Sequence, residues 1–266
     1  MPVTTAPLTA ATPVHTDRER PTRNLLLRSL NDADYALLAP RLERVPFAVG
    51  DVLLRADERI ESCCFLEAGI AGVLDALEGE RGYAVGLVGA EGFVGWPLLL
   101  GDDRSPYEIV MRAEHGAALR ICASDLQTAL AQSATLSVAL LRFVETFMIQ
   151  MGRTIVSSLA HPVERRLARW ILLYHDRVAE DDICMTHEEF RLMLGVRRSS
   201  VTDALHRLEE QQAIRAVRGR VVVRDRAKLI AMASDTYGRA ESEYRRLLAR
   251  APTPYLTTPS RGGDRP

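Results

Sequence analysis

The stretch from Met185 to Asp225 constrains this chain more than any other, because successive residues in it answer different stereochemical demands. Thr186 can cap a helix through its hydroxyl while Glu189, three residues on, reaches back to the cap's own N–H, the reciprocal capping-box arrangement. Phe190, Met193 and Leu194 then recur at helical spacing. Gly195 follows where the chain must reverse with positive φ, which glycine adopts without steric cost. Arg197, Arg198, Ser199 and Ser200 open a second helix, on which Val201, Ala204, Leu205 and Leu208 form one apolar stripe. Its opposite face holds Arg198, Ser199, Thr202, Asp203 and His206, all able to hydrogen-bond. Ile214 and Val217, then Val221 and Val223, flank Arg218-Gly219-Arg220 as two short strands flank a hairpin turn. Helix, turn, helix and hairpin in this order predict a winged helix-turn-helix. The bland alternative is a helical hairpin buried in an enzyme core, and arginines on both the second helix and the hairpin argue against it.

Charge tests that reading. The chain holds 34 Lys plus Arg against 35 Asp plus Glu, a net of −1 that taken alone argues against a nucleic-acid partner. Residues 186–230, however, hold nine Arg and one Lys against six acids, a net of +4, while residues 23–125 hold 10 Arg against 17 acids, a net of −7. Charges beyond a Debye length of about 8 Å are largely screened, so a phosphate responds to the local face and not to the whole-chain sum. The preference for Arg over Lys suits bidentate guanine and phosphate contacts, and it fits a GC-rich genome equally well.

The 266 residues, 47% of them hydrophobic, suffice for one or two globular domains. No uninterrupted apolar run approaches the roughly 20 residues that cross a bilayer. The first 20 residues lack an apolar segment after a basic start, and the four cysteines lack disulfide-framework spacing, which points to a reducing cytoplasm and no membrane partner. The expected organisation is a disordered arm over 1–22, a sensory domain over 23–124, a dimerisation helix over 125–159, a winged helix-turn-helix with C-terminal helix over 160–250, and a disordered tail over 251–266. Two short helices, 24–30 and 34–42, the second capped by Asn31 or Asp32, precede short apolar runs broken by glycines from 50 to 116, the pattern of a sandwich or jelly roll. The long helical stretch from Asp125 to about Ser158 has Leu140, Val144, Phe147, Met151, Ile155 and Leu159 on one stripe, close to a coiled-coil seam.

The run THEEFRLMLGVRRSSVTDALHRLEEQQAIRAVRGRVVVRDR, residues 186–226, resembles the DNA-binding domain of the CRP/FNR superfamily of bacterial transcription regulators. ERRLARWILLYHDRV, residues 164–178, is similar to the segment joining dimerisation helix and DNA-binding domain in that family, and residues 225–248 resemble a C-terminal helix found in a subset. The resemblance implies an α+β chain with an N-terminal β-roll of the cyclic-nucleotide-binding type, a long dimerisation helix and a C-terminal winged helix-turn-helix. It implies a homodimer joined through Leu140, Val144, Phe147, Met151 and Ile155, whose recognition helices enter successive major grooves of double-stranded DNA about 34 Å apart on an approximate palindrome. Arg198, Ser199 and Asp203 match positions that commonly meet base edges, with Thr202 and His206 on the same face. Thr186, Arg197, Ser200, Arg218 and Arg220 are candidate backbone contacts. Ser199 stands where the family often has Glu, so the usual base preferences do not carry over. RNA polymerase and a small-molecule effector are further candidate partners.

Family members that bind cyclic AMP use Gly-Glu-Leu, a short gap, then Arg-Ser-Ala; here the comparable residues are Gly95-Trp96-Pro97 and Arg104-Ser105-Pro106. Arg104 and Ser105 match the phosphate ligands and are candidate anion ligands, but Trp96 replaces the carboxylate that would hold the ribose, and Pro97 removes a backbone donor. Cyclic AMP is therefore not expected. Cys63 and Cys64, adjacent on a strand, point to opposite faces and are expected to pack as small apolar groups. His15, His115 and His161 are isolated, so no haem or other metal site, no cofactor and no catalysis is expected. Two rivals remain: a small-molecule or anion-binding module whose winged helix makes protein contacts, and an enzyme on a cupin-like roll, which would need a histidine cluster on its strands.

Overall fold

A computed structural model describes residues 20–76 and 82–249, and for residues 113–115 the backbone alone. The expected arm and tail fall almost wholly on 1–19 and 250–266, outside the described residues. Two short helices open the described chain, α1 (Leu25–Ser29) and α2 (Asp32–Leu38), each capped by an asparagine. Buried Asn24 caps α1 through its carbonyl oxygen while its amide donates to the Leu66 and Gly92 carbonyls, both at 2.8 Å, pinning the helix to the sheet. Asn31, not Asp32, caps α2.

Six antiparallel strands then curl into one sheet: β1 (Glu43–Phe47), β2 (Val52–Leu54), β3 (Ser62–Asp75), β4 (Tyr83–Val88), β5 (Phe93–Val94) and β6 (Glu108–Cys122). The order is β1-β6-β3-β4, with β2 on β6 and β5 on β3. The expectation of uniformly short strands ending at glycines is corrected here. β3 and β6 run 14 and 15 residues, and Gly69, Gly72, Gly86 and Gly116 lie inside strands. Gly86 shows why: a Cβ there would sit 2.7 Å from the Phe147 ring, and one at Gly92 would collide with Phe143, so these glycines let a helix lie directly on the sheet. Cys63 and Cys64 are both buried as apolar groups.

That helix is the second of two. The expected continuous helix breaks at Ser133, into α3 (Ala123–Gln132) and α4 (Ala134–Ala160). Ser133 is extended (φ −140°) and caps α4 by accepting from Leu136 N–H at 3.1 Å, while its hydroxyl donates to Asp34 at 2.5 Å. Asp34 also accepts from Thr135, so α2 fixes the break. α4 is long and apolar enough, by length and composition alone, to cross a membrane, but Arg142, Glu145 and Arg153 interrupt its apolar run and half of the most apolar stretch is buried within the chain.

The C-terminal part comprises α5 (Val163–His175), β7 (Asp182–Cys184), α6 (His187–Leu194), α7 (Arg198–Glu210), β8 (Ile214–Val217), β9 (Arg220–Val223), α8 (Arg226–Ala233) and α9 (Arg239–Leu248). The C-terminal segment is thus two helices, not one. One core gathers the inner face of the roll, α1 to α4 and Tyr244 of α9; a second gathers α5 to α8 and takes in Ile70, Leu74, Ala84, Leu87 and Val110 from the roll's outer face. The two cores therefore interlock.

Candidate nucleic-acid interface

The winged helix-turn-helix forms from the local signals read above. Thr186 Oγ1 accepts from Glu189 N–H at 3.2 Å and Glu189 Oε2 accepts from Thr186 N–H at 2.6 Å, closing the capping box. Burial raises the Glu189 carboxyl pKa, and the Thr186 hydrogen bonds oppose that shift. Gly195 ends α6 at φ 62°, and Val201, Ala204, Leu205 and Leu208 are the buried side of α7. β8 and β9 pair from Ile214–Val223 to Val217–Arg220 around Gly219 (φ 74°), and β7 extends the hairpin to three strands. Glu209 of α7 accepts from Ala216 N–H at 2.8 Å, which ties the wing to the recognition helix.

On this frame Arg197, Arg198, Ser199, Asp203 and His206 are exposed, and Ser200 and Thr202 are half-buried. Thr202 donates back to the Arg198 carbonyl at 3.2 Å, so its hydroxyl proton is already used within the helix. Arg198 and Arg218 converge on an open groove of about 380 Å³ that Thr186, His187, Glu188, Arg191 and Gly219 complete. His187, Glu188 and Arg191 are not among the residues that the sequence pattern singles out. The signal for them was the capping box itself, which places 187 and 188 in the first helical turn, where free N–H groups point outward.

The candidate cations differ in availability. Arg197, Arg198 and Arg218 have no ion-pair partner among the described residues, whereas Arg220 is held 2.7 Å from Asp182, a hydrogen bond that raises its pKa further. Arg191 pairs with Glu188 at 2.8 Å and Arg207 with Glu164 at 2.9 Å. Arg220, a candidate phosphate contact, is thus already paired with an acid on the neighbouring strand β7.

The other candidate sites change more. Arg104 and Ser105 are each hydrogen-bonded to a backbone carbonyl of the chain itself. Ser105, 1% exposed, donates to the Tyr107 carbonyl at 2.8 Å and accepts from Tyr107 N–H, while Arg104 Nη1 lies at the surface on the Asp57 carbonyl at 2.5 Å. Trp96 is buried, its ring centroid 4.8 Å from that of Phe147 and 6.4 Å from that of Tyr107. Three of the five residues expected to join two subunits, Leu140, Val144 and Phe147, are likewise buried against the chain's own roll, and Met151 is half-buried. Ile155 alone of the five is open to solvent. The free face of α4 is instead Leu141, Met148, Ile155 and Leu159, exposed by 37, 60, 61 and 84%. Among the described residues no group of His, Cys, Asp and Glu side chains forms a candidate metal site.

Residues 165–232 match the family described as the Crp-like helix-turn-helix domain. No curated protein matches the chain. Among solved structures it is similar to FixK2 from Bradyrhizobium japonicum, at 15% identity and TM-score 0.63 over 73% of this chain and 98% of that one. It is similar to TTHB099, a CRP-family transcriptional regulator from Thermus thermophilus, at 20% identity and TM-score 0.59 over 71% and 96%. It is also similar to the c-di-GMP-responsive global regulator CLP of Xanthomonas campestris, at 15% identity and TM-score 0.59 over 73% and 99%. The chain thus contains a Crp-like helix-turn-helix domain within the fold of the CRP/FNR transcription regulators.

Proposed function

We propose that this chain is a sequence-specific DNA-binding transcription regulator of the CRP/FNR type, non-enzymatic and cytoplasmic, acting as a homodimer on an approximately palindromic site. The observation that carries the reading is the outward face of α7, where Arg198, Ser199, Asp203 and His206 are exposed and Arg198 has no partner within the described chain, next to the equally unpaired Arg218 on the wing. An exposed guanidinium at the start of a recognition helix is suited to guanine O6 and N7, and one at a wing tip to phosphate. His187 and Arg191, on the rim of the same groove, join Thr186, Arg197, Ser200 and Arg218 as backbone contacts. The second subunit docks on Leu141, Met148, Ile155 and Leu159, a stripe with successive spacings of seven, seven and four that repeats on one helical face.

The regulator works without cyclic AMP. Trp96, buried and tilted against Phe147, stands where the family's cyclic-AMP binders carry the ribose-binding carboxylate, and the Ser105 hydroxyl is engaged by Tyr107. Calorimetry with cyclic AMP should give no binding heat, and micromolar binding would overturn this part.

The test of the main reading is to select bound fragments from genomic DNA, then titrate the purified protein on them across salt. If each half contacts about four phosphates, the slope of log K on log salt should approach about −7. A slope near zero would contradict it and favour a winged helix that meets protein partners.

A further inference from the structure

The C-terminal helices do more than extend the winged helix-turn-helix. α8 starts in its core, with Leu229 and Ala233 buried, but α9 crosses back to the roll and places Tyr244 in the roll's core cluster. The Tyr244 hydroxyl donates to the Glu91 carbonyl at 2.7 Å, across 153 residues of sequence. Arg142 of α4 donates to the Leu247 carbonyl at 3.1 Å.

Glu91 lies on the tight loop between β4 and β5 and is held from a second direction. Arg177, just beyond α5, puts its guanidinium 2.7 Å from the Glu91 carboxylate, and both side chains are almost wholly buried. Gly89 leaves room for this pair, since a Cβ there would sit 2.8 Å from Glu91 and 2.9 Å from Arg177. At the other end of the segment, Asp176 accepts from Arg226 at 2.5 Å and from Tyr237 at 2.7 Å, and buried Arg169 donates to the carbonyls of Gln150 in α4 and Thr236 at 3.0 and 3.1 Å. Between α9, Phe143, Phe147 and Gln150 there remains a cavity of about 20 Å³, room for one water.

We propose that α9 is a strap whose latch is the Glu91 loop, gripped by Tyr244 and Arg177, and that it fixes the orientation of the winged helix on its own roll. A segment held by a few buried polar contacts opens sub-globally, without unfolding what it holds. The strap then acts together with the packing of α5 to α8 on the roll's outer face in holding the orientation of α7, and the chain's own tyrosine joins the core between α4 and the roll.

The test uses the full chain without DNA, so its failure leaves the DNA-binding reading intact. In hydrogen exchange, Tyr244→Phe should speed the amides of residues 239–248 about tenfold, the effect of leaving one buried acceptor unpaired, with α7, β8 and β9 unchanged. Equal acceleration in every segment, or none in α9, would overturn the strap. Spin labels at Arg55→Cys and Glu210→Cys, in a Cys122→Ser/Cys184→Ser chain diluted with unlabelled protein, should give one narrow distance in the parent and a broadened one in Tyr244→Ala. Should Tyr244→Ala fail to fold, Tyr244→Phe is read by the same labels. A distribution as narrow as the parent's in whichever variant is read would overturn the proposal.

Discussion

Arg218 and Arg220 stand two residues apart on the wing, and among the described residues only Arg220 has its charge answered, by Asp182 at 2.7 Å. Sequence alone made them equivalent, because nothing in a hairpin pattern says that β7 will bring an acid to one of them. The difference yields a prediction. Arg218→Ala should weaken all duplexes to a similar degree and reduce the salt slope by about one unit per half-site, while Arg220→Ala should change the slope less, as measured by anisotropy titration at several salt concentrations. Equal losses of slope would show that the Asp182 pair opens on DNA. The cysteines separate in the same way. Burial, helped by the neighbouring Cys64, pushes the Cys63 thiol far up, and burial pushes Cys64 up to about 11 against the pull of Arg120, whereas Cys122 and Cys184 are exposed. Because the thiolate is the nucleophile, native protein at pH 7 should label promptly at Cys122 and Cys184 and, at Cys63 and Cys64, only after unfolding, which mass spectrometry reads directly. Prompt labelling of Cys63 or Cys64 would mean that the roll opens there.

At the scale of elements, the winged helix was legible and α4 was not, for one physical reason. Thr186, Glu189, Gly195 and Gly219 act through local backbone geometry, so their pattern states the structure outright. α4 is apolar on more than one face: Leu140, Val144, Phe147 and Met151 make one stripe, and Leu141, Met148, Ile155 and Leu159 make another. Periodicity ran the first stripe on into Ile155 and Leu159, and only the position of the roll, with Gly86 and Gly92 admitting Phe147 and Phe143, separates the face spent inside the chain from the free one. The long glycine-bearing strands β3 and β6 were hidden likewise, since glycine for close approach and glycine for a turn look alike in sequence. Met148→Glu or Ile155→Glu should therefore dissociate the proposed dimer while leaving the circular dichroism spectrum intact, because two like charges would be buried face to face. Phe147→Glu should instead unfold the roll, since an unpaired carboxylate would enter its core against Trp96. Sedimentation showing an unchanged mass for both Met148→Glu and Ile155→Glu would remove this face of α4 from the interface.

At the scale of the whole molecule, the buried charges that join roll, α5 and α9 link stability to pH. Burial, and then the Asp176 carboxylate, raises the pKa of Glu241, so its folded state binds the proton more tightly than its unfolded state. Its contribution is complete below the ordinary Glu range of about 4.3 and is lost as pH rises through the raised value. Glu241→Gln keeps an oxygen that can accept from Gly238 N–H, bonded at 3.0 Å in the parent. The variant should gain stability relative to the parent between about pH 4 and pH 7 in urea melts. A gap that shifts toward the parent with rising pH would mean that Arg169 and Arg177 outweigh the burial. The central claim, that α7 reads bases, is tested most directly by Arg198→Ala on the selected site and on each of its single-base variants. If Arg198 holds a guanine through two hydrogen bonds, the variant should lose about 1–3 kcal/mol per half-site and its preference at one base position while retaining the others. Equal weakening on every duplex, with all base preferences intact, would contradict the account and make Arg198 a phosphate clamp.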